Sequence, residues 1–311
     1  MLKKIVITNY LGESMTFDIE GVQQDRNVSG LLISEVEGLG PVQANVNMTD
    51  LSIADGSLFN SARLEKRNIV ISAYFTGSKS VEESRLLSYK YFPLKRKLRF
   101  YIETSQRKAY VDGYVESNEP DIFQKYSTCR ISILCESAYF TSDEGAQYIK
   151  FSATVPSFRF KYKNEGSLPV TRFGEIQHKT RQEIVYEGDG ETGLTITIDA
   201  VGNAKNFVIY DITKRQFMNF NTDRLASILP SEDTDNDKLI FGDRMIITTH
   251  QKNKKITLIR GGISYNALNL LDKNPEWLTV SKGINEYMYY AESGDENLRI
   301  TIEAPVQYEG V

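Results

Sequence analysis

Apolar and polar residues alternate along most of the chain, as they do in β-strands that bury one face. In the first half the alternation is clearest over residues 69–75, 98–102 and 110–115. In the second half polar turns separate similar short runs, a spacing typical of β-sandwiches. Those runs cover residues 184–186, 194–198, 207–210, 245–249, 256–259 and 298–302. The pattern therefore predicts a mostly β protein.

One stretch has the features of a helix. Ser80 is a favoured N-cap residue, and Glu83, three residues later, completes a capping-box pattern. Pro93 would end this helix, because proline lacks the amide hydrogen that a helix interior requires. One helix among strands predicts an α+β first domain, a β-barrel or sandwich with a helix packed on it.

Residues 37–67 form the least regular segment, and we call this segment the arm. Glycine and proline near its start and Asp55-Gly56 near its middle predict turns, with extended chain between them. Backbone groups left unpaired are costly when buried and adhesive when exposed. The arm is therefore expected to cover its own domain or to pair with a neighbouring molecule, and a surface loop without a special role is the alternative.

The length of 311 residues favours two domains. Aromatic and basic residues alternate over residues 158–163, and the polar run 164–169 then breaks this pattern. We place the domain boundary there. The first domain is expected to span residues 1–165 and to include the arm, and the second is expected to span residues 166–311.

Charge and composition exclude several classes of function. The chain has 37 basic and 41 acidic residues, interspersed, whereas sequence recognition of nucleic acid needs a basic patch. No apolar run is long enough for a membrane span or a secretory signal, so we expect a protein made in a cytoplasm. Cys129 and Cys135 share one strand face too far apart for a disulfide, and both are expected to be buried.

Motifs for catalysis or cofactor binding are incomplete. His178 and His250 have no serine or cysteine motif beside them. Residues 188–193 match G-x-G-x-x-G, but a strand pattern follows where a dinucleotide site needs a helix. We therefore expect no cofactor and no enzyme activity. A carboxylate pair in the second domain, as in glycosidases, stays open.

An acidic loop at residues 232–238 has aspartates at the first, third and fifth positions of a calcium loop. Lys238 stands where that loop needs glycine, and Arg244 stands where it needs a bidentate glutamate. A solvated loop is therefore the expectation, and a calcium ion on an irregular loop is the alternative.

Taken in order, these landmarks resemble the distal tail protein (Dit) family of tailed bacteriophages of Gram-positive hosts. The resemblance rests on Gly30-Leu31-Leu32-Ile33, the arm, the R-x-I-x-I passage that starts at Arg67, the helix after Ser80, and Tyr110 with Gly113 and Val115. In the second half it rests on Gly242-Asp243, Gly283 with Asn285, and the final strand. The family's Asp-Pro before Tyr139-Phe140 is replaced here by Glu136-Ser137-Ala138.

The resemblance implies a virion protein at the distal end of the tail, assembled in the host cytoplasm. It implies a homo-hexameric ring that connects the tail tube protein to a tail-associated or tail-spike protein and to receptor-binding proteins, with a galectin-like or carbohydrate-module-like second domain. The arm residues expected at subunit contacts are Gly40, Pro41, Asn45, Asn47, Asp50, Asp55 and Phe59.

The alternative function is binding of host-wall glycans by the second domain. Its candidate stacking residues are Trp277, Tyr287, Tyr289 and Tyr290. Aromatic residues in a β-rich domain are more often core residues than ligand contacts.

Overall fold

A computed structural model describes residues 1–19, 30–51, 55–75, 80–121, 127–156, 174–230 and 233–311, with only the backbone described for residues 153–156 and 174–178. The described chain divides into two compact units. The first unit comprises Met1–Gly145 and Gln307–Val311, and the second comprises Ala146–Val306. The expected domain boundary and the expected strand at residues 158–163 lie outside the described residues.

The first unit is strand-rich with one α-helix in its described part. Its elements are β1 Leu2–Thr8, β2 Ser14–Asp18, β3 Leu31–Glu37, β4 Ala44–Asp50, β5 Ser57–Leu64, β6 Asn68–Phe75, α1 Val81–Tyr91, β7 Lys97–Thr104, β8 Lys108–Asp121 and β9 Thr128–Cys135, followed by β10 Phe140–Lys150, which runs on into the second unit. Antiparallel pairing gives the order β2, β1, β7, β8, β9, β6, β3.

The core of the first unit lies on one face of these strands. Ile5 and Ile7 of β1, Phe100 of β7 and Ile133 of β9 are fully buried, and each belongs to an alternating row. Burial of such side chains contributes about 1.5–3 kcal/mol each relative to exposure. The predicted period-two strands are therefore confirmed in this unit.

The predicted helix is confirmed. Ser80 caps α1, its side chain accepts from the Glu83 N–H, and the Glu83 carboxylate accepts from the Ser80 N–H, which makes a complete capping box. The helix ends at Tyr91, two residues before Pro93. Its buried residues are Ser84 and Ser88 rather than leucines.

The arm has the extended chain and the turn near Asp55-Gly56 that the sequence predicts, but its two strands pair with each other. Its strands β4 and β5 pair with each other as an antiparallel hairpin, with Ala44 opposite Leu64 and Asp50 opposite Ser57. Each strand therefore satisfies much of the other's backbone hydrogen bonding. What the hairpin presents to its surroundings is its side chains and its outer edges.

The second unit is also strand-rich. Its elements are β11 Ser152–Pro156, β12 Gly174–His178, β13 Arg181–Tyr186, β14 Thr192–Gly193, β15 Thr195–Ala200, β16 Lys205–Asp211, β17 Gln216–Phe220, β18 Arg244–Thr248, β19 Lys255–Arg260, β20 Ile263–Asn266, β21 Thr279–Val280, β22 Gly283–Ser293 and β23 Leu298–Tyr308, with 3-10 turns at Thr222–Ser227, Leu268–Leu270 and Asp295–Asn297. Apart from Gln307 and Tyr308, which belong to the first unit, all of these residues lie in the second.

Two antiparallel sheets dominate the second unit. One has the order β23, β15, β18, β19, β20, and the other has the order β13, β22, β16, β17. Buried and less buried residues alternate along strands of both sheets, which is the pattern of two sheets with a common core. Residues 188–191 form a loop that leads into the short strand β14, so a strand and not a helix follows the glycine motif, as expected. Within the described residues, no helix is long and apolar enough to span a membrane.

Candidate interaction site at the arm

The β4–β5 hairpin has one apolar face and one polar face. Residues that pair across an antiparallel ladder share a face, and successive residues alternate between faces. Val46 pairs with Ala62, and Met48 pairs with Phe59. The face that we call apolar therefore carries Ala44, Val46, Met48, Phe59, Ala62 and Leu64, and it ends at the polar pair of Asp50 and Ser57. The opposite face carries Asn45, Asn47, Thr49, Leu58, Ser61 and Arg63.

A β-bulge keeps the apolar face continuous. The register shifts between Asn47, which pairs with Ser61, and Met48, which pairs with Phe59, so Asn60 is an extra residue on β5. If β5 alternated regularly, without the bulge, Phe59 would lie on the same face as Ser61. The Asn60 side chain donates to the Thr49 hydroxyl at 2.7 Å, which ties the bulge to the opposite strand.

The apolar face is exposed. Val46 is 48% exposed, Met48 is 55% exposed and Phe59 is 58% exposed. Side chains of this size normally contribute to a core or an interface, because each Å² of apolar surface removed from water contributes about 25 cal/mol. Among the described residues, the hairpin thus presents an exposed apolar strip on a short element.

The root of the hairpin is tied to the body of the unit by Arg67, which is completely buried. Its Nη1 donates to the carbonyls of Gly38 and Gly40, and its Nε donates to the Ala138 carbonyl at 3.1 Å. Its Nη2 donates to the carbonyls of Ala138 and Glu309. All five N–H donors of the guanidinium are therefore used.

Among the described residues, the positive charge of Arg67 is stabilised without a carboxylate partner. Its guanidinium carbon lies 4.2 Å from the centre of the Phe140 ring, a cation–π geometry. Burial lowers the pKa of the guanidinium, although the reference value is far above neutral, so the group stays charged. Carbonyl dipoles and the ring face replace the water that the charge loses.

Gly38 occupies a position that no other residue fits. Its φ is +85°, and a Cβ atom there would lie 2.0 Å from the Asn68 carbonyl oxygen. Gly40 has no such restriction, since a Cβ atom there would meet nothing within 4 Å. The chain can therefore enter the arm along this path only because residue 38 is glycine.

The other expected arm residues lie at different places on the hairpin. The Gly40 carbonyl belongs to the root, and Pro41 is exposed next to it. Asn45 and Asn47 lie on the polar face, and Asp50 accepts from the Ser57 hydroxyl at 2.8 Å where the hairpin strands end. Asp55 is exposed in the turn, close to residues 52–54, which are not described.

The aromatic residues expected to stack on glycans differ in exposure. Tyr287 and Tyr289 are buried, and their hydroxyls donate to the carbonyls of Thr279 and Asp295. A buried ring has no free face for a sugar. Tyr290 is 60% exposed, and Trp277 is partly exposed with the Lys254 ammonium 5.3 Å from its ring centre. Trp277 and Tyr290 are thus the accessible members of the group.

The acidic loop is hydrogen-bonded to the side chain of Arg260 rather than only to solvent. Arg260 donates to Asp233 at 3.0 Å, to Asp243 at 2.6 and 2.9 Å, and to the carbonyls of Asp235 and Lys238. The hydrogen bond from Arg260 lowers the pKa of Asp233, against a smaller opposing effect of burial. The carboxylates of Asp233 and Asp243 are thus bound by an arginine. The described residues hold no cluster of three or more potential metal ligands.

Sequence reasoning missed three features of the arm site. The role of Arg67 was hidden because its acceptors are backbone carbonyls, which carry no residue signature. The contact between Arg67 and the Glu309 carbonyl was hidden because the two residues are 242 positions apart in sequence. The alternation Ala44, Val46, Met48 was readable as one strand face, but the bulge at Asn60 obscured its partner strand.

Comparisons with known proteins support the fold and leave the sequence family unassigned. No protein-family model and no curated protein sequence matches the chain. Solved structures do match, over nearly the whole length of the chain. These structures share the fold of this chain.

The first of these matches is the crystal structure of the SPP1 Dit (gp 19.1) protein, described as a paradigm of the hub adsorption apparatus in phages that infect Gram-positive bacteria. The TM-score is 0.61 at 10% identity, covering 97% of this chain and 98% of that chain. A chain of the phage P2 baseplate in its activated conformation with Ca matches with a TM-score of 0.51 at 13% identity, covering 100% of both chains. The predicted resemblance to distal tail proteins is therefore confirmed as a likeness of fold.

Proposed function

We propose that this chain is a structural hub protein of a phage tail, whose copies form a hexameric ring at the distal end of the tail tube. The whole-length likeness of fold to the SPP1 hub protein supports the class. The exposed apolar face of a hairpin with a buried, fully hydrogen-bonded root is the observation that carries the mechanism.

A closed ring needs a heterologous contact, in which one patch of a subunit meets a different patch of the next. A protruding hairpin suits this role because it can reach beyond its own subunit. Burial of Phe59, Met48 and Val46 in a neighbour would contribute about 1.5–3 kcal/mol for each side chain. Such a contact, repeated at every subunit boundary, favours a closed assembly over a pair.

As a hub protein, this chain would be part of the virion and would be assembled in the host cytoplasm. Its partners would be further copies of itself, the tail tube protein, a tail-associated or tail-spike protein, and receptor-binding proteins. We assign it no enzyme activity and no cofactor. The second unit would be a galectin-like scaffold on which peripheral proteins dock, as two antiparallel sheets with a common core allow.

Light scattering over a range of concentrations, followed by negative-stain electron microscopy, tests the ring. A particle of about six times 35.4 kDa with a central opening is expected. A chain that stays monomeric at high concentration, alone and with a purified tail tube protein, would contradict the proposal.

A second candidate function, glycan binding by the second unit, is favoured by one observation. Tyr290 is exposed on the outer face of the sheet β13, β22, β16, β17, where Tyr210 and Phe217 pack with ring centres 5.9 Å apart. Flat aromatic surface beside polar side chains suits a sugar ring. Binding to host-wall polysaccharide that Tyr290→Ala abolishes would support this function, and no binding on a glycan array would exclude it.

A further inference from the structure

The tail segment Gln307–Val311 lies against the part of the arm root that leads into β4. The Val311 N–H donates to the Leu39 carbonyl at 3.1 Å, and the Glu309 carbonyl accepts from Arg67. Gly310 approaches this part of the root so closely that a Cβ atom there would lie 3.1 Å from the Leu39 carbonyl oxygen.

Arg107 also binds the tail segment. Its Nη1 donates to the Gly310 carbonyl at 2.6 Å, and its guanidinium carbon lies 4.3 Å from the centre of the Tyr308 ring. Tyr308 and Val311 also pack against the core of the first unit. The segment is thus attached at four consecutive residues, by two arginines and by the arm root itself.

The guanidinium of Arg67 joins three stretches of chain that are far apart in sequence. Arg67 follows the second hairpin strand, Gly38 and Gly40 precede the first, Ala138 lies between β9 and β10, and Glu309 belongs to the tail segment. A small cavity at this place is lined by residues from the same stretches, Pro41, Val42, Leu64, Ala138 and Glu309. Both ends of the hairpin therefore join the rest of the first unit at the Arg67 site, to which the tail segment contributes the Glu309 carbonyl.

A hairpin attached by two single strands would sample many directions, and fixing it at the moment of assembly would cost conformational entropy. We propose that the tail segment and Arg67 form a lock that sets the direction of the arm before the chain meets a partner. Only the role of the lock in ring assembly rests on the proposed function. Its effect on the arm exists in the unassembled chain and is measured there.

The test is the distribution of distances between spin labels at Asp55→Cys, in the hairpin turn, and Thr16→Cys, on strand β2. Both positions are exposed, and the native cysteines are buried. The labels are placed in a Phe59→Asp background at high dilution, so that the chain is monomeric. We expect one narrow distribution for the full chain and a distribution at least twice as wide after deletion of residues 308–311.

Two further variants separate the lock from general damage. Arg107→Met removes the donor to Gly310 and should also widen the distance distribution. This variant replaces the deletion if the deletion unfolds the first unit. Glu309→Ala should leave the width unchanged, because the lock uses only the backbone carbonyl of residue 309. Protection of Cys129 and Cys135 from alkylation verifies that the first unit is folded in each variant.

An unchanged width in the deletion variant and in Arg107→Met, with protected thiols, would overturn the lock. Ring formation is measured separately, by light scattering on chains without labels and with Phe59 intact. A full chain that forms no rings, but whose narrow distribution widens in the deletion variant, would contradict the proposed function and support the lock.

Discussion

Phe59 lies opposite Met48 in the hairpin, whereas its neighbour Leu58 lies opposite Thr49. Both side chains are 58% exposed, so they differ in direction and not in accessibility. If one face of the hairpin is an interface and the other is not, these two adjacent residues must respond differently to the same substitution.

Phe59→Asp should prevent ring assembly, whereas Leu58→Asp should leave it nearly intact. An aspartate in place of Phe59 removes apolar contact area and buries a charge at the contact, which costs several kcal/mol when no partner is present. We expect the concentration for half-assembly to rise at least a hundredfold for Phe59→Asp and less than threefold for Leu58→Asp. Light scattering of a dilution series provides the measurement.

Equal effects of the two substitutions would show that the hairpin acts through both faces or through its backbone edges. Stronger inhibition by Leu58→Asp would reverse the assignment of faces. Far-ultraviolet circular dichroism must be unchanged in both variants, since neither side chain belongs to the core.

Removal of the hairpin should leave a folded monomer. Residues 43 and 65 are joined by a hydrogen bond of 3.0 Å from the Glu65 N–H to the Gln43 carbonyl, so an Asn-Gly turn can replace the chain between them. Gly38, Gly40 and Arg67 remain, and the root stays intact. We expect normal thermal unfolding and no rings. Rings formed by this variant would exclude the arm as the closing element.

The arm shows why the sequence predicted strands better than their pairing. The turn signal at Asp55-Gly56 was correct, yet the pairing of β4 with β5 depends on a bulge at Asn60, and a bulge has no reliable residue signature. The capping box of α1 was predictable because it is a local interaction between Ser80 and Glu83. The Arg67 site was not, since its acceptors come from residues up to 242 positions away.

The second unit illustrates the same difference. Period two indicated its strands, and the alternation along β22 does bury Tyr287 and Tyr289. Sequence alone could not decide which tyrosines of β22 point inward, because the face of a strand depends on its partners. Arg260 likewise forms a hydrogen bond with Asp233 of the acidic loop, although no local sequence pattern around residue 260 predicts this contact.

Gly38→Ala should destabilise the first unit, whereas Gly40→Ala should not. The first change places a Cβ atom 2.0 Å from a backbone oxygen at a φ of +85°, and the second meets open space. Strain of this kind costs about 1–3 kcal/mol or more. Urea unfolding, followed by the accessibility of Cys129 and Cys135, measures the difference. Equal stability of the two variants would mean that the backbone at residue 38 can move away from the Asn68 carbonyl without a loss of stability.

The two cysteines should be inert in the folded protein. Both are buried in β9, as predicted, and burial raises the pKa of Cys129 to about 11 and that of Cys135 to about 12. Because the thiolate is the reactive form, alkylation at pH 8 should be at least a hundredfold slower than in urea. Rapid labelling of the native chain would indicate that β9 opens locally. With this probe, unfolding of the first unit can be followed separately.

Arg260→Met should destabilise the second unit far more than Arg244→Met. Arg260 is almost buried and pairs with Asp243, which is 2% exposed, whereas Arg244 and Asp199 form an exposed pair. Loss of one partner from a buried pair leaves an uncompensated charge and costs about 3–5 kcal/mol. An exposed pair contributes at most about 1 kcal/mol. Fluorescence of Trp277, the single tryptophan, reports unfolding of this unit.

The pH dependence of the same variant checks the mechanism. Arg260 lowers the pKa of Asp233 in the folded state, so this pair stabilises the fold fully above the ordinary aspartate pKa and loses its contribution as the pH falls through the lowered value. The stability difference between the wild type and Arg260→Met should therefore be largest near pH 7 and should shrink in acid. A difference that stays constant down to pH values of about 2 would mean that lost packing of the arginine, rather than its charge, accounts for the effect.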